Sequence, residues 1–301
     1  MTTRKGIDHL VLAVRDLGAA RERFEHIGFR TTPMGRHPWG TANHIVQFPR
    51  NFIELLAVLD PRALEPASEE HFGFGAFNDA FLDEREGMSM LVLTTEDARA
   101  DAERWRARGL RVFEPFHWSR KATLPDGSEA TVAFTLTFVV DPEMPGIAFF
   151  SCQQHNPQLF WKPEYQAHAN GASGIRAVSI VSRDPSRHRA FFAALIDDGA
   201  VEGNGDALEV RMNGGLVRVQ PPSDAGFGDA PASEDGRFFA AEIEIADPER
   251  AARCLDEGAI PFSRRGRAIH VAGEHCFGLA LALVPAGDAA APFSPGSGTS
   301  P

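Results

Sequence analysis

The sequence predicts an α+β protein of four βαβββ units in two pairs, each pair of curved mixed sheets enclosing a cleft. Three observations carry this expectation. A short apolar strand followed by a capped amphipathic helix recurs four times, beginning at Gly6, Met88, Gly174 and Arg237. A glycine follows each helical stretch, at Gly28, Gly109, Gly199 and Gly258. Further strand-like runs then fill the space before the next unit, and 301 residues suffice for two domains at about 150 residues each.

The first unit opens with GIDHLVLAVRD, where Asp16 is a helix cap and Leu17, Ala20, Phe24 and Ile27 fall at helical spacing. Strands are expected around Phe29–Pro33, Ala42–Phe48 and Phe52–Val58. The second unit opens with MSMLVLTTED, and its helix carries Ala98, Ala102 and Trp105. Leu110–Phe113, Thr131–Val140 and Gly146–Cys152 read as its strands. In the third unit Asp184 caps and Pro185 takes the first helical position, where a missing N–H costs nothing. Phe191, Phe192, Leu195 and Ile196 form the apolar stripe. Asp247 and Pro248 repeat the device in the fourth unit, whose last strands read AIHVAGEH and CFGLALALVP.

The expected organisation is therefore a first pair over residues 1–152 (units at about 4–60 and 87–152) and a linker over 153–173. A second pair covers 174–286 (174–222 and 237–286), and the Gly/Pro/Ser/Ala-rich stretch 287–301 reads as a disordered tail. The connection Asp60–Gly87 carries Phe72, Phe74, Phe77 and Phe81, which suit either a packed helix or a lid over a pocket.

Composition excludes several function classes. Hydrophobic residues at 43% and charged residues at 24% are globular values. The net charge of −11 repels phosphate backbones and anionic membranes, so a small-molecule substrate is the expected partner. Three scattered cysteines make neither a disulfide framework nor a structural zinc site. With no secretion-signal core and no long apolar run, a cytoplasmic location is expected. No phosphate-cradling glycine loop points to a nucleotide cofactor, and no serine elbow is present.

Alternation in the first strand puts Ile7, His9 and Val11 on one face and Leu10, Leu12 and Val14 on the other. Glu54 is the lone charge in FIELLAV, costly to bury unless paired, protonated or bound to a cation. If the first and fourth strands are neighbours facing one way, His9 and Glu54 converge. Arg120 precedes an expected hairpin turn at Asp126-Gly127 and suits either a clamp on a substrate carboxylate or a solvated strand edge. Trp39 and Trp161 either wall a pocket or pack loops on the sheet. Asn43 lies in a turn segment from which it could enter the cleft, and His168 and Asn170 are expected to organise the linker. Cys152, in an apolar strand, reads as a core residue.

GIDHLVLAV with His9, followed by FIELLAV with Glu54, resembles the vicinal oxygen chelate superfamily, the glyoxalase and extradiol dioxygenase fold. HPWGTANHIVQFPRNFIELLAV and FFSCQQHNPQLFWKPEYQAHANGA resemble bacterial glyoxalase-like domain proteins, a likeness covering roughly residues 4–175. The resemblance implies a divalent metal (Fe, Mn, Zn, Ni or Co) held by first and fourth strands of paired units. His9 and Glu54 match two ligand positions and are the implied catalytic pair. The matching places in the second unit are Met90 and about Phe149; in the second pair they are Ala177 and Ala241, so that half reads as scaffold or as the contact of a homodimer. Gln153, His44, His117 and His37 are candidates for a third ligand. The implied function is a lyase, isomerase or dioxygenase acting on a small carbonyl- or carboxylate-bearing molecule. Arg120, His37, Trp39, Asn43, Gln153 and Trp161 would then line the substrate site. The alternative is a metal-free binding or sequestration protein in which His9 and Glu54 are an acid/base or merely a structural pair.

Overall fold

The computed structural model describes residues 5–123, 129–204, 206–222 and 236–288. In the first half, β1 (Ile7–Ala13) leads through α1 (Leu17–His26) to β2 (Gly35–Arg36), β3 (Thr41–Gln47) and β4 (Phe52–Val58). After α2 (Phe74–Glu84) come β5 (Gly87–Thr95), α3 (Ala98–Ala107), β6 (Arg111–Val112), β7 (Phe116–Thr123), β8 (Glu129–Val140) and β9 (Ala148–Gln154). These strands form a single nine-stranded sheet in the order β2-β3-β4-β1-β5-β9-β8-β6, with β7 paired to β8. The opening strands β1 and β5 run antiparallel at its centre, and each lies parallel to the last strand of its own unit, β4 or β9. The second unit thus repeats the first across the β1–β5 seam.

The second half repeats the plan. A short α4 (Pro157–Phe160) lies in the connection; β10 (Ala172–Val181), α5 (Arg189–Leu195), β11 (Val201–Asn204), β12 (Ala207–Met212) and β13 (Gly215–Gln220) make the third unit. The fourth comprises β14 (Arg237–Ile245), α6 (Pro248–Glu257), β15 (Ser263–Arg265), β16 (Ala268–Val271) and β17 (Ala280–Pro285). They form an eight-stranded sheet in the order β11-β12-β13-β10-β14-β17-β16-β15. Strand β9 runs on to Gln154 and β10 starts at Ala172, so the connection is shorter at both ends than 153–173. Of the expected tail, 289–301 lies outside the described residues, as does the Asp126-Gly127 turn.

The caps follow the sequence. Asp16 accepts from the Ala19 N–H at 2.9 Å, Asp97 from Arg99 and Ala100, Asp184 from Ser186 and Asp247 from Glu249. The helix ends vary more. Gly28 and Gly109 are left-handed, at φ +93° and +83°, whereas in the fourth unit Ala259 takes that conformation at φ +53°. Gly258 is needed for a different reason: a Cβ there would lie 2.2 Å from the His26 carbonyl oxygen at the end of α1. Gly199 closes no helix, because α5 already stops at Leu195. Phe29–Pro33 is extended but makes no ladder. It is held by exchanges between Thr32 and Ile45, and the pairing strand is the short β2.

Helices α1, α3, α5 and α6 contribute to one apolar core that runs through both halves. Leu10, Leu12, Phe24 and Phe149 of the first half share it with Phe191, Phe192, Phe238 and Leu281 of the second. Phe149 meets Phe191 with ring centres 5.1 Å apart. Asn51 pairs with both backbone groups of Ile175, and the Trp105 indole N–H donates to the Leu195 carbonyl. The 60–87 connection covers core through Phe81 and Leu82 against Ala13, and it brings Phe72, Phe74 and Phe77 over the far side of the first sheet. Among the described residues no helix is long and apolar enough to cross a membrane.

Candidate functional site

The concave face of the first sheet holds a cavity of about 490 Å³. Its chemistry begins with an irregularity in β1. The ladder to β5 slips between Ile7 and His9, which pair with Leu93 and Val92, so Asp8 is an extra residue on that side. The bulge corrects the simple alternation: Ile7 packs in the helix-side core with Leu10 and Leu12, not on the face of His9. It also lets Asp8 reach its neighbour's ring, with Asp8 Oδ1 2.6 Å from His9 Nδ1.

A carboxylate there accepts the Nδ1 proton and leaves the Nε2 lone pair on the other side of the ring. Nε2 lies 3.8 Å from Glu54 Oε2, so the structure brings these two side chains together. Both residues are buried, and His9 is stacked on Phe52 at 4.1 Å with the edge contact of Phe150 at 5.5 Å. Further hydrogen bonds fix the carboxyl groups. Gln154 Nε2 donates to Asp8 Oδ2 at 3.0 Å, and Asn43 Nδ2 donates to Glu54 Oε1 at 2.5 Å. Asn43 lies 3.4 Å from His37 Nε2, His37 Nδ1 lies 2.7 Å from the Thr41 hydroxyl, and His37 stacks on Trp39 at 4.9 Å. Trp118 and Phe116 of β7 meet Trp39 at 5.4 Å, and Phe134 stacks on Trp118.

Of the residues expected here, His9, Glu54, His37, Trp39 and Asn43 line the cavity. Gln153 does not. Phe150, Cys152 and Gln154 alternate toward the floor, so Gln153 turns to the other face, where it donates to the Glu96 carbonyl and accepts from the Ala98 N–H at the start of α3. Trp161 stands behind the wall, 5.8 Å from the Phe52 ring, and its neighbour Phe160 takes the lining position. His44 points away from the cavity to the Thr32 carbonyl, and His117 turns away from the Phe116/Trp118 face toward Thr135. Arg120 pairs with Val132 in the β7–β8 ladder; its side chain lies outside the described residues. His168 and Asn170 tie the connection down: His168 accepts from the Arg30 N–H and meets the Gln47 carbonyl, and Asn170 bonds Ile27 and Ala172.

Sequence reasoning missed Asp8 and Gln154. A bulge hides the first, since it violates the alternation that a strand pattern relies on. Parity with Phe150 and Cys152 was the available signal for the second. The Cys152 thiol is pushed well up by burial, then by Asp8 and Glu54, and is no nucleophile. Ser182, His188 and Asp141 form a hydrogen-bonded series, Oγ to Nε2 at 3.0 Å and Nδ1 to Oδ2 at 3.2 Å. All three are buried and none lines the cavity, so the set cross-ties the halves instead of presenting a nucleophile.

The donor set falls short of a resident catalytic metal site. Nε2 and Oε2, 3.8 Å apart, stand wider than the roughly 3 Å between adjacent ligands of one ion at about 2 Å each, so the two side chains would have to close on a shared ion. Counting from the capping aspartates, the second-unit position matching His9 is Met90. The one matching Glu54 is Phe150, because Val11 pairs with Glu54 as Val92 pairs with Phe150. Phe149, the residue expected there, faces the second half instead. Among the described residues no three His, Cys, Asp or Glu side chains group to hold an ion. In the second half the counterparts are Ala177 with Arg218 and Ala240 (not Ala241) with Ala282, which offer no such site.

The sequence profile of the "Glyoxalase-like domain" family matches residues 7–196. No curated protein matches the chain. Among solved structures, a hypothetical protein from Staphylococcus aureus is similar at 16% identity and a TM-score of 0.63, over 93% of this chain and 99% of that one. A mutant 4-hydroxymandelate synthase from Streptomyces coelicolor is similar at 14% identity and a TM-score of 0.55, over 94% and 93%. A xylose isomerase-like TIM barrel/4-hydroxyphenylpyruvate dioxygenase fusion protein is similar at 14% identity and a TM-score of 0.54, over 96% of this chain and 50% of that one.

Proposed function

Since the chain belongs to the glyoxalase-like domain family of the vicinal oxygen chelate superfamily, we propose that it is an enzyme that moves a proton on a small carbonyl-bearing molecule held in the first-sheet cavity. The observation that carries this reading is the Asp8–His9–Glu54 series at the cavity floor. His9 Nε2 takes a proton from the carbon next to the carbonyl, and the electron pair passes into the carbonyl as an enolate. Asp8 holds the ring in the tautomer that leaves Nε2 free and lies against the imidazolium once it forms. The proton now on Nε2 returns to a neighbouring atom of the enolate, directly or by way of the Glu54 carboxylate, which Asn43 holds beside Nε2. Aromatic walls keep water away from the carbanion. This is isomerase or lyase chemistry. A dioxygenase would need an iron set of three protein ligands, and the paired positions Met90 and Phe150 supply none.

Proton transfer is tested by incubating the protein with enolisable ketones, keto acids and aminocarbonyl compounds in D2O and following carbon-bound hydrogen by NMR. Exchange that His9→Gln abolishes supports the reading, and exchange unaffected by that change sinks it.

The convergence of His9 and Glu54 favours one second reading, in which they close on a divalent ion backed by Asp8. Stoichiometric Fe, Mn, Zn, Ni or Co in protein purified without chelators, lost in Glu54→Ala, would support it. Tight uptake of aromatic ligands with neither exchange nor metal would favour a binding or sequestration protein.

A further inference from the structure

We infer that the ligand of this cavity carries a positively charged nitrogen, seated on the Glu54 side of the floor. The inference rests on the cavity being the binding site, as proposed above, but not on proton transfer there.

Asp8 and Glu54 are 4% and 7% exposed, and their hydrogen-bonding partners are His9, Gln154 and Asn43. No Lys or Arg side chain among the described residues bonds either carboxyl group. Glu54 lines the cavity with Asp8 behind His9, so a ligand nitrogen on the Glu54 side meets an acceptor that no Lys or Arg side chain already occupies. The lysine and arginine that line the cavity are Lys162, which is half-buried, and Arg36, which is exposed, and neither bonds the floor.

The walls fit the same occupant. Trp39, Trp118, Phe134 and Phe150 present aromatic rings around the acidic floor, and ring faces attract a cationic nitrogen within about 6 Å. A cavity of about 490 Å³ accommodates a small organic molecule rather than a bare ion. Trp39 stacks on His37 and meets Trp118 and Phe116 edge-on, so these rings form one continuous wall. A carboxylate placed at the floor would instead meet the Glu54 carboxyl group. The ligand class is therefore an ammonium compound with an apolar body. An aminocarbonyl compound combines these with an acidic C–H beside His9.

Two probes of one shape and an aromatic anion separate charge from hydrophobicity: phenyltrimethylammonium, its neutral isostere tert-butylbenzene, and benzoate. Binding is measured with EDTA present by quenching of tryptophan fluorescence. The cation is expected to bind about tenfold tighter than tert-butylbenzene. Glu54→Gln should remove that preference and leave tert-butylbenzene binding unchanged, with circular dichroism confirming the fold. Asp8→Asn should weaken the preference independently. Equal binding of the neutral probe, tighter binding of benzoate, or a preference untouched by both variants overturns the inference. So does a preference that appears only after a tightly bound metal ion has been stripped. A cation preference in a protein that exchanges no carbon-bound hydrogen supports this inference while sinking the catalytic reading.

Discussion

Asp8 and His9 are adjacent in the chain and yet bond to each other, Oδ1 to Nδ1 at 2.6 Å, although successive residues of a regular strand point to opposite faces. The bulge in the β1–β5 ladder makes this possible. It turns a general-purpose histidine into one with a fixed tautomer and a defined outward lone pair.

Asp8→Asn should therefore cost turnover more than substrate binding. An amide can donate to Nδ1 and so stabilise the wrong tautomer. A loss of about tenfold to a hundredfold in kcat with KM nearly unchanged is expected, against a loss of about a hundredfold or more for His9→Gln. The two-parameter kinetics that separate these outcomes require only a substrate found by deuterium exchange.

Asn43→Leu removes the donor to Glu54 Oε1 and leaves a buried carboxyl group without that partner. The expected cost is about 1–3 kcal/mol in urea denaturation. Asn43→Asp, which sets a second carboxyl group against Glu54, should cost at least as much at pH 7.

Gly258→Ala and Gly109→Ala should differ in kind. At Gly258 a Cβ would lie 2.2 Å from the His26 carbonyl, a backbone atom that cannot swing aside. At Gly109 the space is open and only the positive φ of +83° opposes a side chain. Thermal denaturation should show a loss of about 2 kcal/mol or more in the first and about 1 kcal/mol in the second. Equal losses would mean that α1 and α6 can part without penalty.

Burial holds the His168 imidazole down to about 4, below its ordinary 6.5, and Nδ1 already accepts from the Arg30 N–H. The unfolded chain thus binds the proton more readily than the folded one. Stability from this residue is complete above about pH 6.5 and declines as pH falls toward about 4, by about 3 kcal/mol in all. His168→Gln should flatten the wild-type decline in Tm between pH 6.5 and 4.5. A parallel decline in both proteins would place the acid sensitivity elsewhere.

The repeated plan was legible because its signals are local. Asp16, Asp184 and Asp247 cap where their short side chains and the following helical spacing say they must, and each unit's opening strand is mainly apolar. The pairing of His9 with Glu54 was legible only through the fold, since 45 positions separate them in the chain. Gln153 and Phe149 were misplaced by a single residue each, and in a strand one residue is a change of face. Asp8 was invisible for the opposite reason: a bulge puts adjacent residues to joint use. Phe29–Pro33 reads as a strand from its composition, but its hydrogen bonds are scattered over Phe24, Glu25, His44, Ile45 and His168 and build no ladder.

Phe149 and Phe150 follow one another on β9, one reaching into the far half against Phe191 and the other standing at the edge of the His9 ring. The strand between them behaves as a beam loaded on both sides. A half whose matching positions, Ala177 with Arg218 and Ala240 with Ala282, form no ligand set is thereby a foundation for the floor, and repacking at Phe191 should be felt as a tilt of Phe150 against the imidazole. The far half thus acts on the site through packing alone.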